Sequence, residues 1–402
     1  MDELVTELPP PLYHQAIYEH LQRTQPELWD WLSSTEQQAN YTENVELDLL
    51  KTSYRLAHDS HPALYDAASA VAGRLGITVP VTLYQSQVHD SSSMNAQMHF
   101  LPGGVHIVFI GPVTESLDGA ELRALLGHEM AHHLLFTMEN GAFLTTERLV
   151  NAMASDPRAE DCHIETCRRY LLYMEIFADR GGALANDDII PAISCLVKVG
   201  TGMAKVDPHA YLEQAREVMT RDDAPSQGFT HPECHVRARA LELWSADTDA
   251  ANEPIHAMIA GSDALSALDV LEQYEYTGAT RRLLQHLLEP IWFRSDAVIA
   301  QAKTYFADFA IEPVTAEPEL AKSAAIKSYF AFILLDFALV DRDLEDVALA
   351  RCMLVAEAWD CAEIFAEQAN SIAKMTKKQL AKVQRQRDNL LEAGAAQEAD
   401  DD

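Results

Sequence analysis

The sequence predicts an α+β fold, with a mainly helical body carrying one small antiparallel sheet and an all-helical region at its C-terminal end. Three observations lead there. Apolar residues recur three or four apart along most of the chain, the period of amphipathic helices. Two or three short strand-like runs lie close together between residues 79 and 110. Beyond about residue 250 the chain is rich in Ala and Leu and reads as helix throughout.

Residues 1–61 form a helical extension, with apolar periodicity at Ile17–Leu21, Leu28–Leu32 and Val45–Leu56, and with Pro26 placed to open the second helix. Ala63–Leu75 is an amphipathic helix stopped by Gly73 and Gly76. Val79–Tyr84 is a strand, Ser91–Ser93 a loop and Met94–Met98 another strand. Pro102-Gly103-Gly104 is a turn into the strongest strand, Val105–Ile110. Gly119–Thr137 is a long helix whose Leu122, Leu125, Leu126, Met130, Leu134 and Leu135 make an apolar face. Residues 138–160 are less regular and are expected to cross the side of a cleft. Cys162–Gly181 is a second long helix, with Tyr170, Leu171, Met174 and Phe177 on one side, and Ile189–Val199 is a shorter one. Arg221–Pro232 is a charged, Pro- and Gly-containing loop, and His235–Trp244 returns to helix. Pro313 and Pro318 divide the C-terminal part. The expected organisation is an extension (1–61), a mixed domain (62–249), a helical domain (250–397) and a disordered acidic tail (398–402).

The chain has 402 residues, 48% of them hydrophobic, enough for a large core and for more than one domain. No apolar run reaches the roughly 18 residues that a membrane helix needs. The start, Met1-Asp2-Glu3 followed shortly by Pro9-Pro10-Pro11, lacks the basic and apolar regions of a signal peptide, so a cytoplasmic location is expected. Six cysteines at wide, irregular spacing, with no C-x-x-C pair, read as ordinary thiols. A net charge of -32 repels the phosphate backbone and anionic membrane, so neither nucleic acid nor membrane insertion is expected.

The chemistry is carried by His128-Glu129-Met130-Ala131-His132, an H-E-x-x-H string on the first long helix. Four residues advance a helix by slightly more than one turn, so both imidazoles share a face and can hold one zinc. Glu129 sits on nearly the same side, within reach of a metal-bound water. His133 faces elsewhere and reads as a supporting or surface residue. A catalytic zinc needs a third protein ligand and an open fourth position. Glu175 is the best candidate. It shares a helix face with Asp179, and carboxylates beside an apolar stripe need a buried positive partner. Zinc would serve Glu175, and Asp179 would accept the second ring N–H of a zinc-bound histidine. An ordinary salt bridge to Arg180 or a neighbour is the alternative.

Together these motifs resemble the M48 family of zinc metallopeptidases, which includes the CAAX prenyl proteases, the HtpX heat-shock proteases and soluble relatives. The resemblance rests on H-E-x-x-H, on the later E-x-x-x-D from Glu175 to Asp179, on Asn95-Ala96 upstream, and on Thr230-His231-Pro232 followed by Arg237. It covers roughly residues 62–245 and implies a zincin-like metallopeptidase domain. It further implies that His128, His132 and Glu175 ligate one zinc per chain and that Glu129 is the general base. By the same resemblance His231 stabilises the oxyanion, Arg237 supports that region, and Asn95 with Ala96 lies on the substrate-facing strand. Unlike many relatives, this chain offers no membrane span.

The expected activity is zinc-dependent endopeptidase hydrolysis of a protein or peptide substrate, with protein quality control as a setting. The substrate is expected to pair with the sheet edge near Asn95 or Val105–Ile110. The competing reading is a catalytically silent, zinc-containing scaffold. The presence of Glu129 favours an active enzyme. The C-terminal helices are candidate surfaces for a protein partner.

Overall fold

The computed structural model describes residues 8–87, 94–222, 224–261, 265–313 and 324–401. The Ser91–Ser93 loop, the break at Pro318 and the terminal Asp402 lie outside the described residues. The chain forms two compact units, Met1–Gly261 and Ser262–Asp402.

The first unit opens with α1 (Leu12–Thr24), α2 (Pro26–Ser33) and α3 (Thr35–Thr52). Pro26 is the first residue of α2, where a missing N–H costs nothing. The helical period expected to run on to Leu56 stops at β1 (Ser53–Arg55), which pairs with Tyr84–Ser86, so sheet pairing overrides the local pattern. After α4 (Pro62–Arg74) come β2 (Val81–Ser86), β3 (Asn95–Leu101) and β4 (Gly104–Ile110), in the sheet order β1-β2-β4-β3.

β3 and β4 form an antiparallel hairpin about Pro102-Gly103, with Gly103 at φ 85, a conformation that favours glycine. β1 and β2 are also antiparallel. β2 and β4 are parallel, from Val81↔Val105 to Gln85↔Phe109, so the sheet is mixed rather than antiparallel throughout. The reason is topological. β3 reverses the chain onto the outer side of β4, and β4, reversed twice since β2, runs in the direction of β2. This also makes β4 an inner strand. The expected sheet edge at Val105–Ile110 is therefore covered on both sides, and the edges are β3, next to it, and β1 at the far side.

The rest of the unit is helical: α5 (Val113–Ser116), α6 (Gly119–Thr137), α7 (Ala142–Ser155), α8 (Asp161–Leu184), α9 (Ile189–Thr201), α10 (Pro208–Arg221), α11 (Cys234–Ala246) and α12 (Asn252–Ala260). Val105, Ile107 and Phe109 of β4 join a core with α4 and α6, while Val108 packs with Leu49 and Tyr84 on the opposite face. Burial on both faces explains why β4 is apolar at every position from Val105 to Ile110 except His106. α7 replaces the irregular segment expected at residues 138–160. It is entered through Glu139, Asn140 and Gly141, all at positive φ, which end α6 and redirect the chain into a new helix. α10 was not anticipated either. Its start is marked by Asp207, whose side chain caps the helix, followed by Pro208 at the first helical position.

α6 and α8 are the frame of the site. Asp118 and Glu121 form a capping box at the start of α6. Glu121 also accepts hydrogen bonds from Ser194 Oγ (2.6 Å) and Lys198 Nζ (2.7 Å), which ties α6 to α9. The two long helices approach closely because glycines face each other. A Cβ on Gly127 would come within 2.5 Å of the Gly181 carbonyl oxygen, and one on Gly181 within 2.4 Å of Ala131 Cβ. Gly127 and Ala131 flank His128 on α6, and Gly181 follows Asp179 on α8. The contact that lets the backbones meet thus brings together the two chemical motifs.

The second unit holds α13 (Val270–Leu287), α14 (Asp296–Tyr305), α15 (Ala324–Val340), α16 (Glu345–Ala358), α17 (Ala362–Ser371) and α18 (Lys377–Asp401). They enclose a core that includes Leu284, Phe293, Phe330, Phe337, Trp359 and Phe365. Glu398–Asp401 lie within α18. Among the described residues no helix is long and apolar enough to cross a membrane. The six cysteines are free, five buried and Cys234 half-buried.

Candidate metal centre

His128 and His132 lie one turn apart on α6, with their Nε2 atoms 3.3 Å from each other. Glu175 reaches across from α8, its Oε2 3.5 Å from His128 Nε2 and its Oε1 3.5 Å from His132 Nε2. One donor atom from each of the three residues fits within a 4.8 Å span.

The surrounding shell orients these donors. His128 Nδ1 lies 3.0 Å from Asp179 Oδ1. A proton on Nδ1 leaves the Nε2 lone pair facing Glu175. Arg237, brought in by α11, donates from Nε to Asp179 Oδ2 (2.8 Å) and from Nη2 to Oδ1 (2.6 Å), and Nη2 also stands 3.3 Å from Glu175 Oε2. The alternative of a bridge to Arg180 is not the one formed, since both carboxylates of α8 turn to Arg237.

Charge follows this geometry. Burial alone would lift the Asp179 carboxyl, but Arg237 and His128 hold it well below the ordinary range. Burial opposes the charge of Arg237, yet Asp179 and Glu175 keep it firmly protonated. His128 is held above its ordinary value: burial pulls it down, but the hydrogen bond to Asp179 and the nearby carboxylates outweigh that. His132, without such a partner, is pulled by burial down to about 4. Burial pushes the Glu129 carboxyl above its ordinary range.

These residues fit zinc. Among the described residues Glu175 Oε2 is buried without a hydrogen-bond partner, its charge met by the Arg237 ion pair at 3.3 Å. Two imidazole Nε2 atoms converge on the same carboxylate, and at most one can carry a proton at 3.3 Å. A cation among the three would satisfy all of them, and two nitrogens with one carboxylate oxygen are a donor set that catalytic zinc takes.

The remaining residues singled out in the sequence line one cleft of about 690 Å³. Glu129 is buried and accepts a hydrogen bond from the Met98 N–H of β3 at 2.7 Å. Asn95 is exposed and Ala96 buried at the start of β3, and both reach the cleft. The His231 side chain is 56% exposed. Its Nδ1 is 2.9 Å from Thr230 Oγ1 and its Nε2 is 3.5 Å from Glu175 Oε1. His133 is not at the surface; it is buried and stacks on Phe100, with ring centroids 5.4 Å apart.

Several contributors escaped the sequence reading. Leu144 and Glu147 of α7 line the cleft, and they were missed with the helix that carries them. Arg168 donates to the carbonyls of Ser226 (3.0 Å), Gly228 (3.3 Å) and Ile259 (3.1 Å), and so holds the segment leading to His231. No local pattern signals that role. The glycines at 127 and 181, next to both motifs, were a usable signal.

A helix bearing H-E-x-x-H, a carboxylate ligand from a second helix and an acidic residue bonded to the first histidine define a zinc metallopeptidase active site. Residues 61–155 match the profile of peptidase family M48, a stretch that includes Asn95, Ala96, His128, Glu129 and His132. The chain carries an M48 peptidase domain. Glu175, His231 and Arg237 lie beyond the matched stretch and join the site through the fold. No curated protein and no solved structure shows a significant match.

Proposed function

We propose that the chain is an endopeptidase that cleaves extended segments of protein, holding one zinc per chain on His128, His132 and Glu175. The observation that carries this reading is the position of Glu129. Its buried carboxylate lies between the two histidines in sequence and touches the backbone of the edge strand β3. When bound, zinc supplies Lewis acidity, making a water more acidic and polarising a carbonyl.

The chain's own groups do the rest. Glu129, its carboxyl lifted above the ordinary range by burial, takes the proton from the attacking water and passes it to the leaving amine. Asp179 holds the His128 ring with Nε2 inward, and Arg237 fixes Asp179 through both its oxygens. If the Thr230 hydroxyl donates to His231 Nδ1, the His231 proton sits on Nε2, the atom turned toward Glu175 and the cleft. That N–H is placed to stabilise an oxyanion.

Substrate geometry is supported by β3. The Met98 N–H points away from β4, toward Glu129, so Ala96 and Phe100, two residues either side, direct their backbone groups the same way. An extended peptide adding to this edge would be read chiefly through its backbone. Such recognition suits exposed or unfolded segments and a role in protein quality control, within the cytoplasm. Asn95 is placed at the start of this edge.

The test is cleavage of unfolded casein and of a quenched peptide library by the native chain and by Glu129→Gln. Native cleavage, removal of activity by a chelator, and a loss of about 10²-fold or more in Glu129→Gln are expected. Cleavage of folded and unfolded substrates at equal rates would contradict the edge-strand reading.

A further inference from the structure

A second cavity of about 440 Å³ lies in the first unit, on another face of α8. Its walls include Leu12, Tyr13 and Ala16 of α1 and Tyr173, Ile176 and Arg180 of α8. On α8 the spacing 173, 176, 180 marks one face, whereas Glu175 and Asp179 lie on the neighbouring face toward the metal centre. The volume falls in the roughly 300–1,000 Å³ range of small-molecule sites, and most of the wall is apolar.

Asn252, Glu253 and His256 of α12 are exposed polar residues at its border, and Arg180 is the buried charge in that wall. The residue is only 8% exposed, and among the described residues its Nε has no hydrogen-bond partner. The guanidinium rests against Trp244, 5.7 Å from the ring centroid. Its neighbour Asp179 attracts it, but the hydrogen bonds of that carboxylate go to Arg237 and His128. Burial draws Arg180 down to about 10, which leaves it charged at neutral pH. Glu253 lines the cavity but is exposed and forms no ion pair with Arg180. A buried guanidinium without a matched anion is costly, and such charges are ordinarily paired.

We propose that this cavity binds a monocarboxylate carried on an apolar chain, of the medium-chain fatty acid class, with the carboxylate on Arg180 and the chain against Leu12, Tyr13 and Ile176. An uncharged apolar molecule would leave Arg180 unpaired, and a small hydrophilic anion would leave the apolar wall wet. The ligand would lie against the helix that carries Glu175 and Asp179. The inference stands apart from the peptidase reading, because none of these residues is needed for cleavage.

The test uses the zinc-loaded full chain and isothermal titration with decanoate and with 1-decanol. Native protein is expected to bind decanoate at least tenfold more tightly than decanol, the difference expected of one charge-assisted hydrogen-bonded pair. Arg180→Met, which keeps an unbranched apolar stem and removes the charge, should erase that preference. Ala16→Trp, which fills the cavity from α1 and leaves the charge in place, should weaken both ligands. Equal binding of acid and alcohol by the native chain would overturn the proposal. So would a preference that survives in Arg180→Met, since the carboxylate would then sit elsewhere, the metal included. Undiminished binding by Ala16→Trp would overturn it as well.

Discussion

Arg237 meets Asp179 through two hydrogen bonds, 2.8 Å from Nε to Oδ2 and 2.6 Å from Nη2 to Oδ1, and the same Oδ1 stands 3.0 Å from His128 Nδ1. One arginine on α11 thus controls a carboxylate on α8, which controls a histidine on α6. Arg237→Met leaves two buried carboxylates without their cation, and breaking a buried pair in this way costs about 3–5 kcal/mol. Zinc affinity is expected to fall by about 10–100-fold, as is usual when the partner of a ligating histidine is disturbed. Arg237→Lys restores the charge but not the two-pronged geometry, so it should recover only part of the affinity. Competition with a zinc-binding dye measures both.

The close contact of α6 and α8 predicts opposite effects for two glycine substitutions. Gly181→Ala places a Cβ 2.4 Å from Ala131 Cβ and 2.7 Å from the Gly127 carbonyl oxygen, and overpacking of this kind costs about 1–3 kcal/mol or more. A Cβ at Gly73, within α4, meets nothing within 4 Å. Gly73→Ala should therefore stabilise by up to about 1 kcal/mol through helix propensity. Urea unfolding of both variants against the native chain checks the signs.

The segment leading to His231 is held at two points. Arg168 bonds the Ser226 and Gly228 carbonyls, and a Cβ at Gly228 would come within 1.9 Å of the His231 carbonyl oxygen. Gly228→Ala must shift that segment. The expected result is a lower kcat with little change in zinc content, up to the roughly 10²–10³-fold that loss of an oxyanion donor costs. Arg168→Met should act in the same direction. A change in KM alone, with kcat retained, would place His231 in binding rather than in the transition state.

His14 on α1 predicts an acid-sensitive fold. Its ring is fully buried against Tyr170, centroids 3.8 Å apart, and among the described residues neither nitrogen has a hydrogen-bond partner. Burial lowers it from the ordinary 6.5 to about 3, so the folded state excludes the proton that the unfolded chain accepts. The sign follows. Its contribution is intact above pH 6.5 and is lost as pH falls from there toward 3, by about 1.4 kcal/mol per unit. Unfolding free energies between pH 7 and 4.5 should fall less steeply in His14→Leu than in the native chain, whatever the offset at pH 7.

Much of this site was legible because its determinants are local. A four-residue spacing on a helix fixes the relation of His128 to His132 and of Glu175 to Asp179, and the apolar face from Leu122 to Leu135 marks the helix that carries the first pair. Strand pairing is not local. The parallel register of β2 with β4, and hence the edge position of β3, depends on how the hairpin folds back, which composition does not encode. α7 was misread because Glu139 and Asn140 take the left-handed conformation without being glycine, so the break before the helix looked like a longer irregular stretch. Arg168 and Arg180 illustrate a further limit. They lie on one helix, about three turns apart, but one is matched to carbonyls and the other to a cavity, and only the packed structure distinguishes them.

The most direct measurement of the central claim is zinc content together with peptide turnover, on the same preparations of native chain and Glu129→Gln. The expected result is one zinc per chain in both proteins and turnover in the native chain alone. A native chain that binds no stoichiometric zinc would contradict the metal centre. Bound zinc with equal turnover in both proteins would contradict the role of Glu129, and bound zinc with turnover in neither would leave a silent scaffold in its place.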